Sequence, residues 1–299
     1  PEGLAWFAYM VGSQPDAYRS KSVELVSDIN LEGAAYGGYL DVPASGADAF
    51  DAYKTCLPWD PIGGVSYGAV RYAGSFDGGG HDVLNMRIDG ERYGSTYTLG
   101  IFGFLEGAAV RNLTLKSGLV QTSTSVNYSG AIAGNVDGAH LSDVVNEGVR
   151  VLEGYCTGGL VGNAGGASST FERCGNETQV TCGTAYQYTG GLVGRVEAGG
   201  TSFVDCANAG EVSGASINGG IVGYCATGDV AFASCLNTGR VATSGRYAGN
   251  FLGDGSSGIT LANCYYLQGA CAPNGFEGAS VAKTADEFAS GEVAWLLDT

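Results

Sequence analysis

The chain has 299 residues, 44% of them apolar and 15% charged, which is enough for a sizeable core and too apolar for disorder. Its formal net charge of −16, from 14 Lys plus Arg against 30 Asp plus Glu, argues against nucleic acid and anionic membrane surfaces as partners. Glycine is the outlier, with 52 copies against six prolines, a balance suited to many tight turns between short strands.

No apolar run approaches the ~18–20 residues that span a bilayer. No signal peptide is visible, and the chain opens on Pro1 rather than Met, so the sequence reads as a segment of something longer. At the N-terminal end, Leu4, Ala5, Trp6, Phe7, Met10 and Val11 have helical spacing and predict a helix that covers one end of the molecule.

From residue 99 a short cassette recurs. Five copies of Gly-x-apolar-apolar-Gly occupy 130–134, 158–162, 190–194, 219–223 and 249–253, and a degenerate copy, Leu-Gly-Ile-Phe-Gly, occupies 99–103. Their closing glycines are 31, 28, 32, 29 and 30 residues apart. A fixed period of this length means one unit stacked on copies of itself.

A second element follows each cassette: Phe203-x-x-Cys206-x-Asn208-x-Gly210-x-Val212 and Phe232-x-x-Cys235-x-Asn237-x-Gly239-x-Val241 are the clearest copies. Phe171, Cys174, Asn176 and Val180 repeat the pattern, as do Leu141, Val144, Asn146 and Gly148, and the earliest copy runs Val110, Leu113, Leu115, Ser117, Leu119. Alternation puts one set of side chains on a single strand face, and the three-residue offset after the Phe predicts a corner or bulge.

A unit of ~30 residues with two or three short strands and no helix is one coil of a β-solenoid, in which equivalent residues of neighbouring coils stack ~4.8 Å apart. The Asn column at 146, 176, 208 and 237 then predicts an amide ladder at a turn. At the C-terminal end, Thr284 and Glu287 form a capping-box pattern ahead of Phe288, Trp295, Leu296 and Leu297, which predicts a helical cap. The expected organisation is one continuous all-β domain: an N-terminal cap and opening coils over 1–98, repeat coils over 99–267, and a C-terminal cap or helix over 268–299.

The repeats resemble the GLUG-type repeats of bacterial surface proteins, whose Gly-Leu-x-Gly core is matched by 159–162 and 191–194. Trp59, Pro61, Ile62 and Gly63, then Phe76, Asp77, Gly78, Gly80 and His81, then Asn85, look like the coil that leads into such repeats, with 23–31 as its first strand. The resemblance covers most of residues 20–267. It implies a right-handed parallel β-helix in an extracellular bacterial module, of the kind found in adhesin-like proteins and in non-catalytic parts of immunoglobulin-A peptidases. It carries over no catalytic residue, and with only His81 and His140 in the chain a His-Glu-x-x-His zinc site cannot form.

The remaining candidates for chemistry read as structure. Cys174, Cys206, Cys235 and Cys264 share a column with Leu113 and Val144, so they are expected to be buried thiols acting as small apolar groups. No Cys-x-x-Cys occurs, which argues against structural zinc; of Cys56, Cys156, Cys182, Cys225 and Cys271, one pair such as Cys264–Cys271 could be bridged. Tyr97, Tyr128, Tyr188 and Tyr247 form a column with Cys156 and Ile217, which points to inward packing rather than sugar contact, while Tyr186 and Tyr224 stay open as exposed aromatics.

His81, near Asp77 and Asp82, is expected to be a hydrogen-bonded turn residue, and the Asn-x-Ser/Thr sites at Asn112, Asn127 and Asn176 are coincidences of composition in a bacterial product. The residues after the closing glycines are Asn135, Asn163, Arg195, Tyr224 and Asp254, which is no acidic stripe for glycoside chemistry. No catalytic, cofactor-binding or metal-binding residue is therefore assigned. The expected role is a non-enzymatic module, monomeric, extracellular and surface-displayed or secreted, serving as a stalk or adhesive surface toward a host or cell-surface protein or glycan. The alternative is a carbohydrate-active lyase or hydrolase, or a glycan-binding domain.

Overall fold

The computed structural model describes residues 1–31, 59–65, 70–93, 97–122, 128–183, 187–271, 275–276 and 278–297, so Cys56, Asn127 and Tyr186 lie outside the described residues. The architecture is a parallel β-solenoid of about six turns, with three sheets of six strands each and one of 15 among the described residues. Each coil has four walls. The first is built from strands such as Tyr188–Gly190, the second from Val193–Val196, the third from Ser202–Val204 with Ala207–Asn208, and the fourth from Val212–Gly214. Each strand pairs in parallel with its equivalent one coil away, as Ala207 with Leu236 and Val212 with Val241.

The sequence pattern predicts two or three strands per coil; the structure has more because two corners divide it. The first corner is the cassette, whose first residue ends one wall and whose second apolar residue begins the next. The second is the expected bend after the Phe. There the backbone turns through the left-handed region at Asn112, Asp143, Arg173, Asp205, Ser234 and Asn263, all with φ between 50° and 54°. Asn and Asp tolerate this conformation better than other non-glycine residues, so Arg173 and Ser234 are the costly members. Arg173 has a local compensation: its Nε and Nη2 donate to Asp143 Oδ1 and Oδ2 at 2.7 and 2.8 Å, one coil away.

Inside, matching side chains stack in columns. Phe171, Phe203 and Phe232 are buried with ring centroids 4.7 and 4.9 Å apart and planes within 8° of parallel. The Asn column forms the expected ladder: Asn146 Nδ2 donates to Asn176 Oδ1 at 3.0 Å, Asn176 to Asn208 at 2.9 Å and Asn208 to Asn237 at 2.9 Å. Each amide also closes its own turn, as Asn208 Nδ2 donates to the Gly210 carbonyl at 2.9 Å. The ladder lies against the second glycine of the cassettes; a Cβ on Gly191 would sit 2.4 Å from Asn208 Cγ.

The two ends differ from one another. The helix Glu2–Ser13 buries Leu4, Phe7 and Val11, and Phe7 meets Tyr72 edge-on at 5.8 Å. Two short strands, Val23–Glu24 and Ile29–Asn30, stand where the single strand 23–31 was expected, and they pair with Ser75–Asp77 and Asp82–Leu84. At the other end, the Thr284–Glu287 capping box is formed, with Thr284 Oγ1 accepting from Glu287 N. The apolar cap expected of the residues behind it is not: Val293 is buried, but Trp295 is 65% exposed and Phe288 only half-buried. Helices of five and six residues are too short to present a broad apolar face.

Replacing Asn208 with Ala strands a donor on Asn176, an acceptor on Asn237 and the Gly210 carbonyl, all buried, and is expected to cost about 3 kcal/mol. Asn237→Ala, at the last rung of the ladder, is expected to cost less; equal losses in urea melts would contradict a ladder. Ser234→Gly relieves a left-handed residue and is expected to raise stability by about 1 kcal/mol in the same assay.

Candidate functional site

The thiol column is where the sequence places it. Cys174, Cys206, Cys235 and Cys264 are free thiols, each 2% exposed or less. Cys206 Sγ donates to the Phe171 and Val204 carbonyls at 3.4 and 3.3 Å, and Cys235 Sγ to those of Phe203 and Ala233 at 3.5 and 3.3 Å. Hydrogen bonding to Cys206, together with burial, holds the Cys174 thiol protonated well above the usual thiol range. Because Cys264 is a free thiol, the suggested Cys264–Cys271 bridge is not formed.

His81 is a hydrogen-bonded turn residue, but its partner is Asp28 rather than a sequence neighbour: His81 Nδ1 lies 3.2 Å from Asp28 Oδ1, which also accepts from Asp82 N at 3.1 Å. Asp77 instead accepts from Gly79 N, Asn112 Nδ2 and Arg111 Nε, at 2.9, 2.9 and 2.8 Å. Those donors, Gly79 first, lower its carboxyl below the usual carboxylate range. This is an exposed knot between coils whose polar groups are spent on one another.

The tyrosine column differs from expectation. Tyr128, Tyr188 and Tyr247 are half-buried on the outer surface, and their strand neighbours Ser129, Thr189 and Ala248 face inward at 1% exposure or less. The reason is space: walls one and four approach so closely that a Cβ on Gly214 would lie 2.8 Å from Thr189 Oγ1, which leaves no room for a ring. Tyr97 is out of the column, because Tyr128 pairs with Thr98; it is buried, its hydroxyl 2.8 Å from Thr122 Oγ1.

Beside the outward tyrosines stands the column that follows the closing glycines, Phe104, Asn135, Asn163, Arg195, Tyr224 and Asp254, in register across six strands. The two columns meet at one cluster. Tyr188 stacks on Tyr224 at 4.6 Å and meets Tyr155 edge-on at 5.5 Å, and the Arg195 guanidinium lies 5.6 Å from the Tyr188 ring centre. Arg195 Nη1 pairs with Glu197 Oε1 at 2.7 Å, and Asn163 Nδ2 donates to Glu197 Oε2 at 3.2 Å and to Asn135 Oδ1 at 3.4 Å. Burial, and then the contact with Tyr155, pushes the Tyr188 phenol up to about 12. Tyr224, left open by the sequence, is thus part of a patch that combines rings, a guanidinium, a carboxylate and amides. Arg195 and Asn163 were legible only as members of a variable column with no acidic stripe. Among the described residues, no group of three His, Cys, Asp or Glu side chains is placed to hold a metal ion.

No family model matches the sequence. Over 105 residues the chain is 36% identical to halomucin of Haloquadratum walsbyi, a match covering 35% of this chain and 1% of halomucin. A solved structure of a putative immunoglobulin A1 protease from Bacteroides ovatus superposes with a TM-score of 0.69 over 92% of this chain and 81% of that one, at 19% identity. That likeness establishes a shared β-solenoid fold and nothing about activity.

Iodoacetamide added to the native protein is expected to leave Cys206 and Cys235 unmodified while labelling them fully in denaturant, read by mass spectrometry. Since Val144 fills the same column, Cys206→Val is expected to change stability by less than ~1.5 kcal/mol.

Proposed function

We propose that this chain is a non-catalytic β-solenoid module of an extracellular protein, surface-displayed or secreted, which provides length and a lateral binding surface. The observation that carries this reading is where the side-chain chemistry goes. The Asn, Cys and Phe columns are buried in coil-to-coil contacts, and several acidic residues serve as ion-pair partners between coils, as Asp143 with Arg173, Glu147 with Lys116 and Glu211 with Arg240. Enzymes on such scaffolds need carboxylates or a cation site grouped on one face. Here the column on wall two holds a phenyl ring, two amides, a guanidinium, a phenol and a single carboxylate, Asp254. The resemblance to GLUG-type repeats of surface proteins supports the same assignment, and the fold likeness to the Bacteroides ovatus protein is compatible with an accessory part of a larger protein.

The glycan-binding half of the alternative reading has one observation in its favour, the tyrosine cluster around Arg195. The test of the module reading is an activity screen: the purified chain is expected to leave immunoglobulin A1 and polysaccharide substrates uncut over prolonged incubation. Cleavage abolished by a substitution within the chain would overturn it.

A further inference from the structure

The cluster around Arg195 holds two polar atoms that the fold leaves without a use. Asn163 is 1% exposed and spends both amide hydrogens, on Glu197 and Asn135, but its Oδ1 has no hydrogen-bond partner. Arg195 pairs with Glu197 through Nη1, while its buried Nε has no partner. The two residues are register partners on adjacent strands, so the orphan acceptor and orphan donor belong to neighbouring rungs ~4.8 Å apart. A buried polar atom left unpaired costs about 1–3 kcal/mol, and such atoms are uncommon unless something else completes them. Beside them lie the half-buried rings of Tyr155, Tyr188 and Tyr224, with the Glu197 carboxylate at the margin, its side chain one-third exposed.

We infer that this flank is a binding site for a neutral glycan, one sugar ring lying against the tyrosines with vicinal hydroxyls engaging Asn163, Arg195 and Glu197. The chemistry is matched at each part. A sugar hydroxyl both donates and accepts, so a vicinal pair can donate to Asn163 Oδ1 or Glu197 while accepting from Arg195. The C–H face of a pyranose packs on an aromatic ring, and tyrosine offers that face together with a polar rim. A neutral sugar is selected over an acidic one by charge: Glu197 already neutralises Arg195, and the chain carries a net −16. The inference rests on the module reading, because it places binding rather than cleavage at this flank.

The test uses the whole chain. An array of neutral glycans ending in hexose or N-acetylhexosamine, printed alongside sialylated and sulfated ones, identifies binders; the best is then titrated by tyrosine fluorescence and saturation-transfer NMR. Neutral glycans are expected to bind, and both Tyr224→Ala and Arg195→Gln to weaken binding about tenfold or more. His140→Ala, on another wall, is expected to have no effect. Arg195→Gln keeps the ring stack, so it reports even if the tyrosine variant unfolds. Binding confined to acidic glycans, no binding, or binding that survives Arg195→Gln unchanged would each overturn the inference. None of these outcomes touches the module reading, which fails only if the chain cuts a substrate.

Discussion

The constraint on which this molecule depends is that a buried side-chain amide must find its partners in the coils above and below. Asn146, Asn176, Asn208 and Asn237 are each 1% exposed or less, so water is not a substitute. Every amide closes its own turn and each but the last, Asn237, passes one hydrogen to the next, which fixes the height and the lateral register of neighbouring coils together. A slip by one residue would break both contacts at once. The cassette glycines follow from this: the amides need a flat wall to lie against, and at Gly159, Gly191 and Gly220 a Cβ would come within 2.4 Å of the Asn side chain. The period of glycines and the period of asparagines are therefore one requirement seen twice.

The other columns depend on that register. The phenylalanine rings are parallel because their backbones are superposed, and the thiols succeed where Leu113 and Val144 also fit because the slot is small and apolar. Polar contacts on the outside reinforce the stack without setting it. Asp143 and Arg173, half-exposed, are a pair whose value lies in holding a left-handed arginine in place rather than in Coulomb attraction through water.

Much of the fold was legible because stacking converts a period in sequence into a column in space. The closing glycines, the Asn ladder, the buried thiols and the corner after the phenylalanine all follow from spacing alone. What was illegible depends on which side of a strand faces the core. Alternation shows that Tyr188 and Thr189 point in opposite directions, but not which is inside, and the intuition that rings pack inward fails where walls one and four come too close for a ring. The same holds for the C-terminal helices: Thr284 and Glu287 announce a helix start correctly, yet sequence spacing says nothing about whether Trp295 reaches a surface to cover. The candidate site was invisible for a related reason. Asn163, Arg195 and Tyr224 share a column whose residue type changes at almost every rung, so only coordinates bring them beside Tyr155 and Tyr188.

The central claim, that a hydrogen-bonded amide ladder registers the coils, is tested most directly by exchange of the asparagine side chains themselves. In NMR of the native protein in D2O, the Nδ2 hydrogens of Asn176 and Asn208 should exchange as slowly as the backbone amides of Phe203 and Val222. Exchange on the timescale of solvent-exposed asparagines, while those backbone amides remain protected, would show that the coils are held in place by something else.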